Sequence, residues 1–342
     1  MTALTSSGTM AEVYLTRKIS LVASFVAAIT LITGCSATGG LQEKQRLDAA
    51  NGHADTPRLV VAMVTHGAPG DTFWDLVRKG AEDAARKGNI ELRYSSDPQA
   101  PNQANLIQAA IDSDVDGLAL TMPNADALGP VAARASAAGI PTVALNAGMN
   151  RYQEFNISSF FGQEEKLAGL KAGERLAATG AEHVLCIIHE QGNSSQESRC
   201  QGVAEGLGKE VDLLYVNGQD LTNVQATLGT KLAQDKNIEW IMSLQAPVAL
   251  RAVEAVKETQ SAAKIATFDT NAQLMTAINN DQIAFAVDQQ PYLQGYLAID
   301  SLWLAHRNGS VMGGERPVLT GPSFITPDNI DQISDAASGG FR

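Results

Sequence analysis

From Leu59 onward the chain alternates between two hydrophobic rhythms. Leu59-Val60-Val61-Ala62-Met63-Val64 is an unbroken apolar run ending at Thr65-His66-Gly67, as expected of a strand buried on both faces. Phe73, Leu76, Val77, Gly80, Ala81 and Ala84 then follow an i, i+3, i+4, i+7 pattern that predicts one face of a helix. Leu92 to Tyr94 predicts a second strand, and Leu106, Ile107, Ala110 and Ile111 a second helix face. Gly117-Leu118-Ala119-Leu120 predicts a third strand, stopped by Pro123, and an Ala-rich helix over 125–138 leads to a strand at Pro141 to Leu145. The pattern then repeats. Ser159-Phe160-Phe161 precedes a helix at 164–178, a strand at Val184 to Ile188, a helix near 195–207 and a strand near 211–216. A helix near 224–235, a strand at Trp240 to Met242, a helix near 246–258 and a strand at Ile265 to Phe268 come next. A short helix near 271–279 and Ile283 to Val287 close the series. Such alternation predicts an α/β fold with mostly parallel sheets covered by helices on both faces. The repeated order predicts two similar lobes.

Before Leu59 the pattern is different. The basic pair Arg17-Lys18 precedes an uncharged run from Ile19 to Thr33, which reads as the apolar region of an export signal. It is too short and wrongly flanked for a stable membrane span. The run ends in Leu31-Ile32-Thr33-Gly34-Cys35, which resembles the lipobox of bacterial lipoproteins. That resemblance implies a signal peptide over 1–35 and an acylated Cys35 that ties the mature protein to the outer side of the cell membrane, in a periplasm or at the cell surface. A start at Met1 or at Met10 leaves the signal intact. Residues 36–57 are polar and aperiodic, which predicts a flexible tether. Its coil span would be on the order of 25 Å.

Charge and cysteines narrow the partners. A net charge of −12 argues against nucleic acid or an anionic lipid surface, since both select a basic face. With Cys35 assigned to the lipid, Cys186 and Cys200 remain, and an exported chain permits a disulfide between them. The sequence has no phosphate-binding GxxxxGK[ST] loop, no HExxH, no CxxC, no calcium loop and no serine nucleophile elbow. No metal, no cofactor and no enzymatic activity are therefore expected. A surface hydrolase would need a carboxylate pair, for which Asp269 with Asp288 is the candidate.

In open parallel sheets ligands bind beyond the carboxyl ends of the strands. The residues there are Thr65-His66-Gly67, Thr121-Met122-Pro123, Asn146-Ala147-Gly148, His189-Glu190, Ser243-Leu244-Gln245, Asp269-Thr270-Asn271 and Asp288-Gln289-Gln290. Most sets contain a planar polar side chain, which presents hydrogen-bonding atoms at fixed geometry and suits adjacent hydroxyls of a sugar or polyol. Phe73, Trp74, Phe160, Phe161 and Phe268 could cover the C–H faces of such a ligand. Strand-end Asn, Asp and Ser also cap turns and helices without any ligand. His189, Trp240 and Trp303 read as packing residues.

The segments THGAPGDTFWDLVRKGAEDAA, ALNAG, ESRCQG, TFDTN and DQQPYLQGY, in this order, resemble the substrate-binding proteins of sugar ABC transporters, the type I, ribose-binding-protein-like periplasmic binding proteins. The resemblance spans about 58 to 328 and implies two Rossmann-like lobes joined by a three-crossing hinge. It implies a first lobe of 58–160 plus 291–311 and a second of 161–290 plus 312–330. It further implies that Phe73 and Trp74 form an aromatic wall, that Asp71 or His66 supplies a polar contact, and that Asn146 meets ligand hydroxyls. Arg199 would donate to ring or hydroxyl oxygens, with Gln245, Asp269 and Gln289 completing the set. The HGAPGD insertion, and Ala147 where an arginine often sits, depart from the simpler pentose binders. A linear polyol, a pentose, a hexose or a small furanone-like signal would each fit. The implied partner is an ABC permease and the implied state a monomer. A receptor presenting a sugar-derived signal to a membrane sensor would have the same folded body.

Overall fold

The central strands are apolar along their whole length because each buries both faces. In the computed structural model, which describes residues 52–342, β1 (Leu59–Thr65) sends Val61 and Met63 to one core cluster and Ala62 and Val64 to another. The expected signal segment 1–35, Cys35 and the tether up to Asn51 lie outside the described residues. Thr56–Arg342 forms one compact unit.

The chain runs β1, α1 (Thr72–Lys87), β2 (Ile90–Ser96), α2 (Ala100–Asp112), β3 (Gly117–Leu120), α3 (Ala125–Ala137), β4 (Thr142–Leu145) and β5 (Phe160–Gln163). It continues through α4 (Glu165–Ala177), β6 (Val184–Ile188), α5 (Ser194–Leu207), β7 (Asp212–Tyr215), α6 (Leu221–Gln234), β8 (Trp240–Ser243) and α7 (Ala246–Thr259). Then follow β9 (Lys264–Phe268), α8 (Ala272–Asn279), β10 (Phe285–Asp288), α9 (Pro291–Asn308), β11 (Val318–Gly321), β12 (Ser323–Ile325) and α10 (Asp331–Ser338). Two six-stranded sheets result, ordered β11-β5-β4-β3-β1-β2 and β12-β10-β9-β8-β6-β7. Every pairing is parallel except β10 with β12. The two orders are the same once strands are matched lobe to lobe, β1 with β6, β4 with β9 and β5 with β10.

The chain passes between lobes three times: after β5, between β10 and α9 at Gln289-Gln290, and between β11 and β12 through the cis Gly321–Pro322 peptide. These crossings shift the expected lobe boundaries. Phe161 pairs with Leu145 in the first sheet, and Val318–Gly321 runs parallel to β5 in that same sheet, not in the second lobe. The physical reason is edge coverage: β11 supplies hydrogen bonds to the outer side of β5 before the chain returns. The tail extends past residue 330 as α10, whose Ile333 and Ala337 pack on the second-lobe core.

One helix crossing in each lobe is unusually close. A Cβ on Gly169 of α4 would lie 2.1 Å from the Arg199 carbonyl oxygen of α5, and one on Gly202 would lie 2.1 Å from that of Lys166. In the first lobe, Gly80 of α1 and Gly295 of α9 make the matching approach, each 1.9 Å from a partner carbonyl oxygen. In the second lobe this backbone contact brings α5 against the start of α4. Cys186 and Cys200 are bonded to each other, with a Cα–Cα distance of 5.9 Å, tying β6 to α5.

Candidate ligand-binding site

The carboxyl ends of both sheets face a common cleft, and all nine side chains singled out from sequence line one cavity there: His66, Asp71, Phe73, Trp74, Asn146, Arg199, Gln245, Asp269 and Gln289. Their positions follow from local backbone rules. Asp71 is the N-cap of α1 and accepts from the Phe73 amide at 3.0 Å, while its second oxygen accepts from Gln245 Nε2 at 2.7 Å. The cap and the cleft contact are thus the same carboxylate, and the second bond joins the lobes. Asn146 and Asp269 occupy matching strand ends after β4 and β9, both left-handed, with φ of 63° and 62°. That conformation turns the chain sharply out of the sheet, and Asn and Asp tolerate it better than other non-glycine residues.

A chain of planar groups runs along the back of the cavity. Asn146 Nδ2 donates to Gln289 Oε1 at 3.2 Å, and Gln289 Nε2 donates to Asp269 Oδ1 at 2.7 Å. Gln294 Nε2 reinforces Gln289 Oε1 at 3.0 Å. The hinge residue Gln289 therefore connects one lobe to the other through its amide. The second oxygen of Asp269 accepts no hydrogen bond from the described residues.

Arg199 is buried on α5, where Glu165 of α4 holds it in two-point fashion: Nε to Oε2 at 2.6 Å and Nη2 to Oε1 at 3.1 Å. Its guanidinium lies over the Phe268 ring, 4.9 Å from the centroid, and Nη1 donates to the Leu244 carbonyl at 3.5 Å. A guanidinium has five N–H groups, so donors remain for the cavity. Burial opposes the charge, but Glu165 outweighs it and the pKa of Arg199 is raised.

The two histidines stand at matching ends of β1 and β6. Thr121 Oγ1 accepts from the His66 amide (3.1 Å) and from Gln103 Nε2 (3.0 Å), so its own proton goes to His66 Nδ1 at 2.7 Å. The His66 proton is then on Nε2, which faces Glu190 at 3.8 Å. Gln196 Oε1 accepts from the amides of His189 and Glu190, which orients its Nε2 as donor to His189 Nε2 at 3.1 Å. His189 therefore carries its proton on Nδ1, a buried donor with no protein partner. Burial lowers both pKa values, that of His189 to about 4, so both rings are neutral at pH 7. Burial also pushes Asp71 up to about 6 and Asp269 up to about 7. His66 and Trp74 meet edge-on at 4.7 Å, and Phe73 meets Trp74 at 5.1 Å, which makes one aromatic wall.

Some expectations fail. Phe160 and Phe161 do not reach the cavity. As neighbours on a strand they point to opposite faces of the first sheet and are fully buried in its two cores. Asp288 is fully buried, bonded to Arg342 and to the Gln290 amide, and outside the lining, so no Asp269–Asp288 pair serves the cleft. His189, read as packing, lines the cavity together with Glu190, Asn193, Ser195 and Gln196. The strand-end rule already pointed to His189-Glu190, whereas Asn193 and Gln196 sit on the α5 cap and first turn, which sequence marks only as helix.

Two parallel sheets with a polar, aromatic-walled cavity between them, joined by three crossings, define a two-lobed ligand-binding protein. The chain belongs to the periplasmic binding protein domain family, whose model matches residues 61–309. A solved carbohydrate transporter from Acidothermus cellulolyticus 11B, in complex with myo-inositol, is 47% identical, with a TM-score of 0.82 over 84% of this chain and 100% of that one. An ABC transporter solute-binding protein from Burkholderia graminis C4D1M, in complex with D-arabinose, shares the fold at 22% identity and a TM-score of 0.72, covering 80% of this chain and 96% of that one. A xylitol-binding protein of Mycolicibacterium smegmatis is 26% identical over 58% of this chain, and the match spans only 53% of that protein. These relatives are solute-binding proteins, not enzymes. Among the described residues, no helix is long and apolar enough to cross a membrane, and no three or more His, Cys, Asp or Glu side chains cluster so as to hold a metal ion.

Proposed function

We propose that this protein is a lipid-anchored extracytoplasmic solute-binding protein that captures a neutral monosaccharide or cyclic sugar alcohol between its lobes and delivers it to an ABC permease. The observation that carries this reading is the convergence of nine planar polar and aromatic side chains from both lobes and the hinge on one cavity. Asp269, Arg199, Asn146, Gln289 and the Nδ1–H of His189 offer paired acceptors and donors to adjacent ring hydroxyls. Phe73 and Trp74 cover an apolar ring face. The myo-inositol complex of the 47% identical transporter supports a six-membered polyol over an acyclic one.

Closure follows from few direct contacts. Outside the hinge, Gln245 to Asp71 and Ser194 to the Pro123 carbonyl (3.3 Å from N, 3.1 Å from Oγ) are hydrogen bonds between the lobes. Each is worth about 0.5–1.5 kcal/mol net, so these hydrogen bonds favour closure only modestly. A ligand bonded to both lobes then decides the balance by population shift. The closed form presents a joint surface of both lobes to the permease, and Cys35 keeps it at the membrane.

The test is a calorimetric titration with myo-inositol, D-arabinose, xylitol and D-glucose, alongside thermal unfolding. Saturable binding of one class, with unfolding shifted by about 2.7 kcal/mol at a hundredfold excess over Kd, is expected. No binding of any monosaccharide or polyol would refute the reading.

A further inference from the structure

Outward from the ligand cavity, which has only about 30 Å³ free and admits a ring only as the lobes part, the lobes leave a second, wider space. This groove has a volume of about 1040 Å³, at the top of the range for small-molecule pockets, roughly 300–1,000 Å³. It meets the inner cavity at shared side chains, among them Asp71, Glu190 and Gln245. At that junction Gln245 Oε1 is buried and has no protein partner.

The groove has a chemistry of its own. Beyond Asp71, Glu190 and the two histidines His66 and His189, no acidic or basic side chain lines it, although the chain carries a net charge of −12. Carboxamides line it from both lobes. Asn124 caps α3 with its oxygen, Asn217 fixes its loop by accepting from the Gln219 amide, and Asn223 accepts from Thr227. In each case the oxygen is committed, whereas the side-chain NH₂ makes no bond to the described residues. These are donors held at fixed positions. Tyr215, at the end of edge strand β7, supplies an aromatic ring that is 47% exposed. Its hydroxyl is held by both carboxylate oxygens of Glu197 at 3.1 Å. An exposed ring fixed at its far end, in a groove lined by amide donors, is suited to the C–H face and the hydroxyls of a sugar ring.

We propose that this groove is a second sugar subsite, and that the protein takes a glycosylated polyol whose polyol ring fills the inner cavity while its neutral glycosyl group rests on Tyr215 and bonds the amides of Asn124 and Asn217. The proposal rests on the reading of the inner cavity as a polyol site. The linkage lies at the junction, where a hydroxyl of the ligand donates to Gln245 Oε1. No anionic substituent would be accepted, because the carboxylates of Asp71 and Glu190 face the passage.

The experiment compares myo-inositol with a galactosyl-myo-inositol in calorimetric titrations of wild type and of Tyr215→Ala. Wild type is expected to bind the galactoside at least as tightly as free inositol. Tyr215→Ala is expected to weaken the galactoside about tenfold, equivalent to about 1.4 kcal/mol, and to leave inositol within about twofold. Unchanged inositol binding also reports that the variant is folded. Binding of inositol with exclusion of the galactoside would overturn the subsite and leave the polyol reading standing. Equal weakening of both ligands by Tyr215→Ala, or of neither, would likewise overturn it. Failure of inositol and the galactoside alike would overturn the polyol reading itself.

Discussion

Replacing Glu165 by Ala separates the two tasks of the buried ion pair. In the wild type Arg199 and Glu165 expose only 6% and 8% of their side chains, and Gln163 Nε2 also donates to Glu165 at 2.7 Å. Removing the carboxylate leaves a guanidinium in the core without its countercharge and an amide without its acceptor. Breaking one side of such a pair costs about 3–5 kcal/mol, a large share of a typical stability of roughly 5–15 kcal/mol. The freed guanidinium turns toward Asp269, its other carboxylate neighbour, and takes up the acceptor the ligand uses. Losing one charge-assisted hydrogen bond of about 1.5–3 kcal/mol weakens binding by roughly ten- to a hundredfold. Urea unfolding reads the first effect and calorimetric titration with myo-inositol the second. The double replacement Glu165→Leu with Arg199→Met removes both charges in similar volume, so stability should return to within about 1 kcal/mol of wild type while binding stays lost. A Glu165→Ala protein within about 1 kcal/mol of wild type, with unchanged affinity, would refute the reasoning.

Three further outcomes follow from the same geometry. Asp269 has a folded-state pKa of about 7 against an ordinary 3.8, so the folded protein holds a proton that the unfolded chain has released; the resulting stability is complete below about 3.8 and is lost as pH rises through about 7. Asp269→Asn should therefore flatten the pH profile of unfolding and exceed wild-type stability above pH 7 by up to about 4 kcal/mol, and thermal unfolding of free protein from pH 4 to 8 measures it. Gly202→Leu forces α5 off the Lys166 carbonyl at a cost of about 1–3 kcal/mol or more, and by parting Arg199 from Glu165 it should weaken the ligand as well. Gly80→Leu strains the matching crossing of the first lobe, and because α1 carries Phe73 and Trp74, titration of the folded fraction should find the ligand weakened there too.

The sheets were legible because their strands are buried on both faces and so read as unbroken apolar runs, as in Leu59–Val64 and Val184–Ile188. The strands β11 and β12 were not, since Val318 and Leu319 are partly exposed or exposed and the segments are three or four residues long. Their place is set by pairing with β5 and β10, a long-range fact that no local rhythm records. The same divide runs through the site. Asn146, Asp269 and Gln289 end strands or begin crossings, where topology alone predicts a ligand, and Arg199 came through resemblance. Gln196 orients His189 from the first turn of a helix, and its role depends on which oxygen and nitrogen face which ring, so nothing in its sequence position reveals it.

The matched ends of the two sheets carry a consequence for orientation. His66 and His189, and Asn146 and Asp269, stand at corresponding places, so the strand ends offer a ring similar groups from either lobe, whereas Phe73 and Trp74 stand where the second lobe has Ser195 and Gln196. Counting from the helix caps at Asp71 and Asn193, Val77 occupies in the first lobe the position that Arg199 occupies in the second. The second-lobe face of the cavity thus carries a guanidinium, and the first-lobe face carries Asp71 but no cation. A ligand with hydroxyls of differing stereochemistry around its ring would be read in one sense only, with its most acceptor-rich edge toward Arg199. A duplicated scaffold acquires handed recognition from the few helix positions at which its two lobes differ.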